Sequence, residues 1–199
     1  MNYTGLLTHE ARYFPQAYSL VPLIMKDVER YMNDHRFTHD ELKVISPDTQ
    51  EVAHYANVRQ PWRGAYDPEC MEHLWSVGYS FIIESPYVSK SVKRIASSIE
   101  IANHSSCDAH VYMGKANSHS FQPHDDNSNN LIVQCEGETL WRVWSGGYEP
   151  SIDVVMRPGD AIYIPRGITH QAQPLSDRIS VSFPFFPGPK TIQRDIRLE

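Results

Sequence analysis

The sequence predicts a mostly β domain closed as a barrel or jelly roll. From about Tyr79 the chain breaks into short strand-like runs, separated by Gly137, Gly146-Gly147, Pro158-Gly159 and Pro165-Arg166-Gly167. Many short strands at this spacing belong to sandwiches and barrels. A barrel protects its strand edges and leaves a mouth for a ligand.

The elements follow in order. Leu20, Ile24, Val28 and Met32 recur four apart and predict a helix over Pro22–Asn33, with Ser19 and Pro22 near its start. Residues 35–75 carry no clear period. His54, Trp62 and Trp75 read as core or substrate surface, and the tryptophans are assigned to core. Residues 79–83 read as a strand. Ser85-Pro86 opens a second helix, with Val88, Val92, Ile95, Ile99 and Ala102 on one face and a stop near Asn103–Ser105. Strands are then expected at 109–115, 129–135, 139–144, 152–156, 161–164, 169–173 and 178–185. This organisation divides the chain into an N-terminal extension (1–76) that packs on the barrel and a barrel domain (77–199), together one unit.

Composition narrows the function. Of 199 residues, 41% are hydrophobic and 21% charged, which suits one globular domain. A formal charge of -6 argues against a nucleic-acid partner, which needs a basic stripe. Cys70, Cys107 and Cys135 form neither a CxxC pair nor a zinc-ligand spacing, and read as buried thiols of a reducing cytoplasm. No signal peptide or bilayer-length apolar run is visible, so no membrane is expected and the localisation reads as cytoplasmic.

The sharpest chemical signal is Gln122-Pro123-His124-Asp125-Asp126. In extended chain, side chains two apart share a face, so His124 and Asp126 can point together into a barrel. His170, in Pro165-Arg166-Gly167-Ile168-Thr169-His170, is the best third ligand. Two histidines and one carboxylate on one side of a metal form the facial triad of non-haem Fe(II) oxygenases. Alone, His-x-Asp is a weak signal, and a lone strand histidine is more often structural. The second block changes the odds. Gly159, five residues, Pro165, one residue, Gly167, two residues, His170 resembles the second cupin motif.

The run His124-Asp125-Asp126, then Asn130, Gln134, Gly137 and Trp141, resembles the JmjC and cupin-like hydroxylase family. The resemblance covers about Tyr79 to Phe186. It implies a double-stranded β-helix (a cupin or jelly-roll barrel) with flanking N-terminal helices. It also implies an Fe(II)- and 2-oxoglutarate-dependent oxygenase, a hydroxylase whose substrate the sequence does not name, with His124, Asp126 and His170 as catalytic metal ligands. Asn130 and Ser182 match polar positions of the cosubstrate region. In that family a Lys or Arg stands at the position of Thr139 and binds the far carboxylate of 2-oxoglutarate. Thr139 is neutral, so another cation is needed. Lys115 is the first choice, because Val111 and Met113 on its face look suited to a barrel interior. Arg178 is a further candidate, while Arg142 falls on the face opposite Thr139 and Trp141. Each cation otherwise reads as ordinary surface.

Other residues take the blander reading. His119 is a solvated loop histidine that could reach the entrance, and Tyr112 and Trp141 are core aromatics that could line the pocket. Two functions stay open: the Fe(II)/2-oxoglutarate hydroxylase, and a metal-binding cupin that uses no 2-oxoglutarate, such as another dioxygenase, an isomerase or a small-molecule binding module. The expected partners are a small-molecule cosubstrate and a substrate that is either protein or small molecule, with a homodimer left open.

Overall fold

The strands follow the glycine and proline breaks closely. The computed structural model describes residues 1–34, 41–47, 52–53, 68–118 and 121–187. In chain order these form β1 (Arg12–Phe14), α1 (Met25–Asp34), β2 (Leu42–Ile45), β3 (Val52–Ala53), α2 (Pro68–Ser76), β4 (Ser80–Glu84) and α3 (Lys90–Asn103). Then come β5 (Ser105–Cys107), β6 (His110–Gly114), β7 (Asn129–Glu136), β8 (Thr139–Trp144), β9 (Ile152–Met156), β10 (Ala161–Ile164), β11 (Thr169–Pro174) and β12 (Arg178–Pro187).

The strands make two antiparallel sheets. The larger runs β1-β10-β7-β12-β6-β4-β2-β3, with β5 pairing β12 off this path, and the smaller runs β11-β8-β9. Strands from the first 76 residues extend the larger sheet at both ends, β1 beside β10 and β2 and β3 beyond β4. Ile132, Ile162 and Ile164 of the larger sheet pack with Trp141, Val143 and Met156 of the smaller one. The two sheets therefore close over a shared apolar layer, as the barrel expectation requires.

Strand alternation gives the larger sheet two buried faces. Val111 and Met113 of β6, Leu131, Val133 and Cys135 of β7, and Ile179, Val181, Phe183 and Phe185 of β12 share one core with Val92, Ile95 and Ile99 of α3. The intervening residues face the barrel interior. Helix α1 is tied to the same sheet, since its Met25 N–H donates to Glu136 Oε1 at 2.8 Å. An acidic partner suits the unbonded N–H groups of a helix start.

Two expectations need correction. Helix α1 begins at Met25, so Leu20 and Ile24 precede it and are exposed, while Val28 and Met32 are buried. The cap of α3 is Ser89, whose Oγ accepts from Val92 N–H at 3.1 Å. Ser85 instead accepts from the Tyr31 hydroxyl and from Tyr87 N–H, which occupies it before the helix starts. Trp75 packs on the core and stacks on Phe81, with centroids 6.1 Å apart. His54, Trp62 and His119 lie outside the described residues. No helix among the described residues is long and apolar enough to cross a membrane.

Candidate metal centre

The segment before β7 and the turn entering β11 are joined by a two-bond bridge. His124 N–H donates to His170 O at 3.1 Å, and His170 N–H donates to His124 O at 2.8 Å. Gly167 N–H donates to Asp126 O at 2.9 Å, which holds the Pro165–Gly167 turn against the His124–Asp126 segment. These backbone bonds bring three side chains together from two distant parts of the chain. One ligand atom from each of His124, Asp126 and His170 lies within 4.8 Å of the others. His124 Nε2 is 3.8 Å from Asp126 Oδ1, and His170 Nε2 is 3.5 Å from Asp126 Oδ2. Bonds of roughly 2.1 Å to one ion put neighbouring ligand atoms roughly 3 Å apart, so small side-chain shifts would close the site.

The support around the triad fits a metal. His124 Nδ1 meets Gln122 O at 2.8 Å, and His170 Nδ1 meets Ile168 O at 2.9 Å. A carbonyl can only accept, so each Nδ1 carries the proton and each Nε2 keeps its lone pair for an ion. Burial lowers the His170 pKa, the Ile168 carbonyl opposing it, so the ring is neutral as a ligand requires. Asn130 Nδ2 donates to Asp126 Oδ2 at 2.6 Å and fixes the carboxylate. Trp141 lies over His170 with centroids 6.0 Å apart and planes 26° apart.

The triad opens into a cavity between the sheets, with about 480 Å³ of empty space up to and including its mouth. Asn130 and Ser182 line it, as do Tyr112 and Trp141. Thr139 is fully buried on the face it shares with Trp141 and Val143, but it is not in the cavity wall, and its Oγ1 has no hydrogen-bond partner. Arg142 points outward and sits 3.6 Å from Asp153 across β9, so the expected register of β8 holds.

Lys115 is a correction. Its ammonium donates to Ser76 O at 3.3 Å, away from the cavity. The apolar face of β6 that recommended it packs beneath the helices, and Tyr112, on the other face, meets the cavity. Among the described residues, the cation that does line the cavity is Arg178. It is buried, its Nη1 donates to Ser180 Oγ at 2.9 Å, and Ser180 Oγ donates to Gln134 Oε1 at 2.8 Å. Burial pulls the guanidinium down to about 10, the nearby Tyr112 opposing it, so the charge persists at neutral pH. A sequence signal for it existed: Arg178, Ser180 and Ser182 alternate with Ile179, Val181 and Phe183 and so share a face.

The model of the JmjC domain family matches residues 83–191, more than half of the chain. The chain belongs to the JmjC domain family. Among curated proteins it is similar to the bifunctional lysine-specific demethylase and histidyl-hydroxylase NO66 of Branchiostoma floridae, 25% identical over 181 residues, covering 85% of this chain and 29% of that protein. It is also similar to human ribosomal oxygenase 1, 29% identical over 148 residues, covering 62% of this chain and 23% of that protein. Among solved structures, this JmjC domain superposes on the ribosomal oxygenase YcfD of Escherichia coli, solved with cobalt and 2-oxoglutarate, with a TM-score of 0.66, 18% identity and coverage of 92% of this chain and 49% of that one. The chain thus spans under a third of these curated relatives and about half of that solved structure. The likeness to YcfD establishes the fold, the double-stranded β-helix.

Proposed function

We propose that this JmjC domain is an Fe(II)- and 2-oxoglutarate-dependent oxygenase that hydroxylates a side chain of a protein, with ribosomal proteins the first class to test. The observation that carries the reading is the convergence of His124, Asp126 and His170 at a cavity, each histidine presenting Nε2 because a backbone carbonyl holds its Nδ1. In the proposed site these three residues hold the ion from one side, and the remaining positions face the cavity. Bound Fe(II) with 2-oxoglutarate and O2 would supply oxidative decarboxylation coupled to hydroxylation, one oxygen atom of O2 going to succinate, released with CO2, and the other to the substrate C–H bond. Asn130 orients Asp126, and Trp141 fixes the plane of His170 while excluding water from that side. The substrate class rests on the names of the relatives, a histidyl-hydroxylase and ribosomal oxygenases.

Two measurements test the proposal. Purified protein with Fe(II), O2 and 2-oxoglutarate should form succinate, followed by NMR, and His124→Ala should abolish it. Ribosomal proteins incubated with the parent should gain one oxygen atom in mass on a single residue. Metal binding with no 2-oxoglutarate binding or turnover would overturn the oxygenase reading. It would favour the cupin that uses no 2-oxoglutarate, for which the neutral Thr139 speaks.

A further inference from the structure

We infer that Arg178 is the anchor for the distal carboxylate of 2-oxoglutarate, reaching the cavity from β12 in place of a cation at Thr139. This deepens the proposed oxygenase reading and rests on it. The guanidinium lines the same cavity as the triad and is 3% exposed. Its bonding is incomplete. Nη1 is used by Ser180, but Nε is buried with no hydrogen-bond partner, and no carboxylate pairs with it among the described residues. Its other neighbour is the Tyr112 ring, 5.9 Å from Cζ, which attracts a cation without neutralising it. A buried guanidinium without a counter-ion is strongly unfavourable, and the usual resolution is an anion that accepts its spare donors.

The position selects the shape of that anion. Asn130, which holds Asp126, is paired with Pro184, whereas Arg178 begins β12 and is paired with Gly114. Arg178 therefore enters from the end of the strand remote from the metal ligands. A ligand joining the two must carry a chelating group at one end and a carboxylate at the other. A 2-oxo acid with a second, terminal carboxylate meets both demands. Thr139, which is neutral and outside the cavity wall, meets neither.

The test compares two ligands of equal length on Mn(II)-loaded protein by calorimetry: 2-oxoglutarate, and 2-oxopentanoate, which replaces the distal carboxylate with a methyl group. The parent should prefer 2-oxoglutarate by roughly 10- to 100-fold, the range of a charge-assisted bond. Arg178→Met should remove that preference by weakening 2-oxoglutarate alone, leaving 2-oxopentanoate and Mn(II) affinity unchanged. The apo variant should melt no lower than the parent, since an apolar side chain replaces an unpaired buried charge. Adding Thr139→Lys to Arg178→Met should restore part of the preference. If Arg178→Met does not fold, Arg178→Lys carries the test, with a reduced preference expected and an unchanged one counting against the anchor. A parent that binds both ligands equally, or an Arg178→Met that keeps the preference, overturns the inference while leaving a 2-oxo-acid site. A parent that binds neither ligand overturns the oxygenase reading itself.

Discussion

Asp160→Ala should be among the most destabilising single changes outside the metal centre. Asp160 stands in the Gly-Asp of the turn between β9 and β10, and it is 4% exposed. Its carboxylate accepts from Tyr13 Oη at 2.8 Å, from Gln16 N–H at 2.8 Å and from Arg157 N–H at 2.9 Å. Those bonds clamp the segment after β1 to the barrel. The clamp holds Gln16 at φ 49 and lets Tyr18 N–H donate to Gly159 O at 2.9 Å. Each bond to an ionised acceptor contributes roughly 1.5–3 kcal/mol, and water can replace part of it at the exposed Gln16, so the alanine variant should lose about 3–5 kcal/mol. Asp160→Asn keeps one acceptor oxygen and should lose about 1–3 kcal/mol. The loss should depend on pH. Burial alone would raise this carboxyl, but the donations from Gln16, Arg157 and Tyr13 outweigh it and hold it below the ordinary value. The native state then binds fewer protons than the unfolded chain. The extra stability is complete above the unfolded value of roughly 3.9 and disappears as pH falls through the native one. The urea midpoints of parent and variant should therefore differ most near about pH 7, and the gap should narrow below about pH 4 by the part linked to this carboxyl. A gap under about 1 kcal/mol at neutral pH, or one that stays constant into acid, would refute the clamp.

Three further outcomes are expected. Asn130→Ala frees the Asp126 carboxylate and should weaken Mn(II) binding by roughly 10- to 100-fold while leaving the melting temperature of the apo protein nearly unchanged; undiminished metal affinity by calorimetry would show that Asp126 needs no such support. Gly137→Ala should cost about 3–5 kcal/mol, because the turn before β8 holds φ at +66 and a Cβ there would lie 2.0 Å from Asp177 O; thermal unfolding checks it, and a loss under about 1 kcal/mol would mean the turn relaxes. Burial pushes the Cys135 thiol up to about 12, so it stays protonated near neutral pH and should resist iodoacetamide until the domain unfolds; rapid labelling of the native protein, seen by mass spectrometry, would contradict that burial.

Local signals in the sequence carried most of the barrel. Strands β8, β9 and β10 begin and end where the sequence places them, because glycine turns and alternation are properties of neighbouring residues. The metal triad was legible for a similar reason, since His124 and Asp126 need only share a face and the Pro165–Gly167 turn aims His170. The short strands β1, β2 and β3 were not legible, because what makes them strands is a partner far away in the chain. Ser85 and Ser89 are equally good caps by residue type, and the Tyr31 hydroxyl, brought in by folding, decides between them.

The misassigned cation has a more general cause. Alternation divides a strand into two faces but does not say which face is the functional interior. In a sheet exposed on one side, the apolar face points inward and the rule suffices. The larger sheet here is covered on both sides, by helices on one and by the smaller sheet on the other. Its apolar faces, Val111 and Met113 on β6 and Ile179, Val181 and Phe183 on β12, pack under the helices. The mixed faces, Tyr112 on β6 and Arg178, Ser180 and Ser182 on β12, line the cavity. Choosing the apolar face therefore selected Lys115, and the polar face holds Arg178. Under the Arg178 proposal, the same arrangement would let an anchoring charge change strands without changing the ligand. Thr139 belongs to the smaller sheet and Arg178 to the larger one, and the two sheets face each other across a single interior. A charge from either wall can meet a carboxylate between them. If Arg178 is the anchor, one interior position of β12 would replace the cation absent from β8, and Ser180 of β12 with Gln134 of the neighbouring β7 already forms its hydrogen-bonded support.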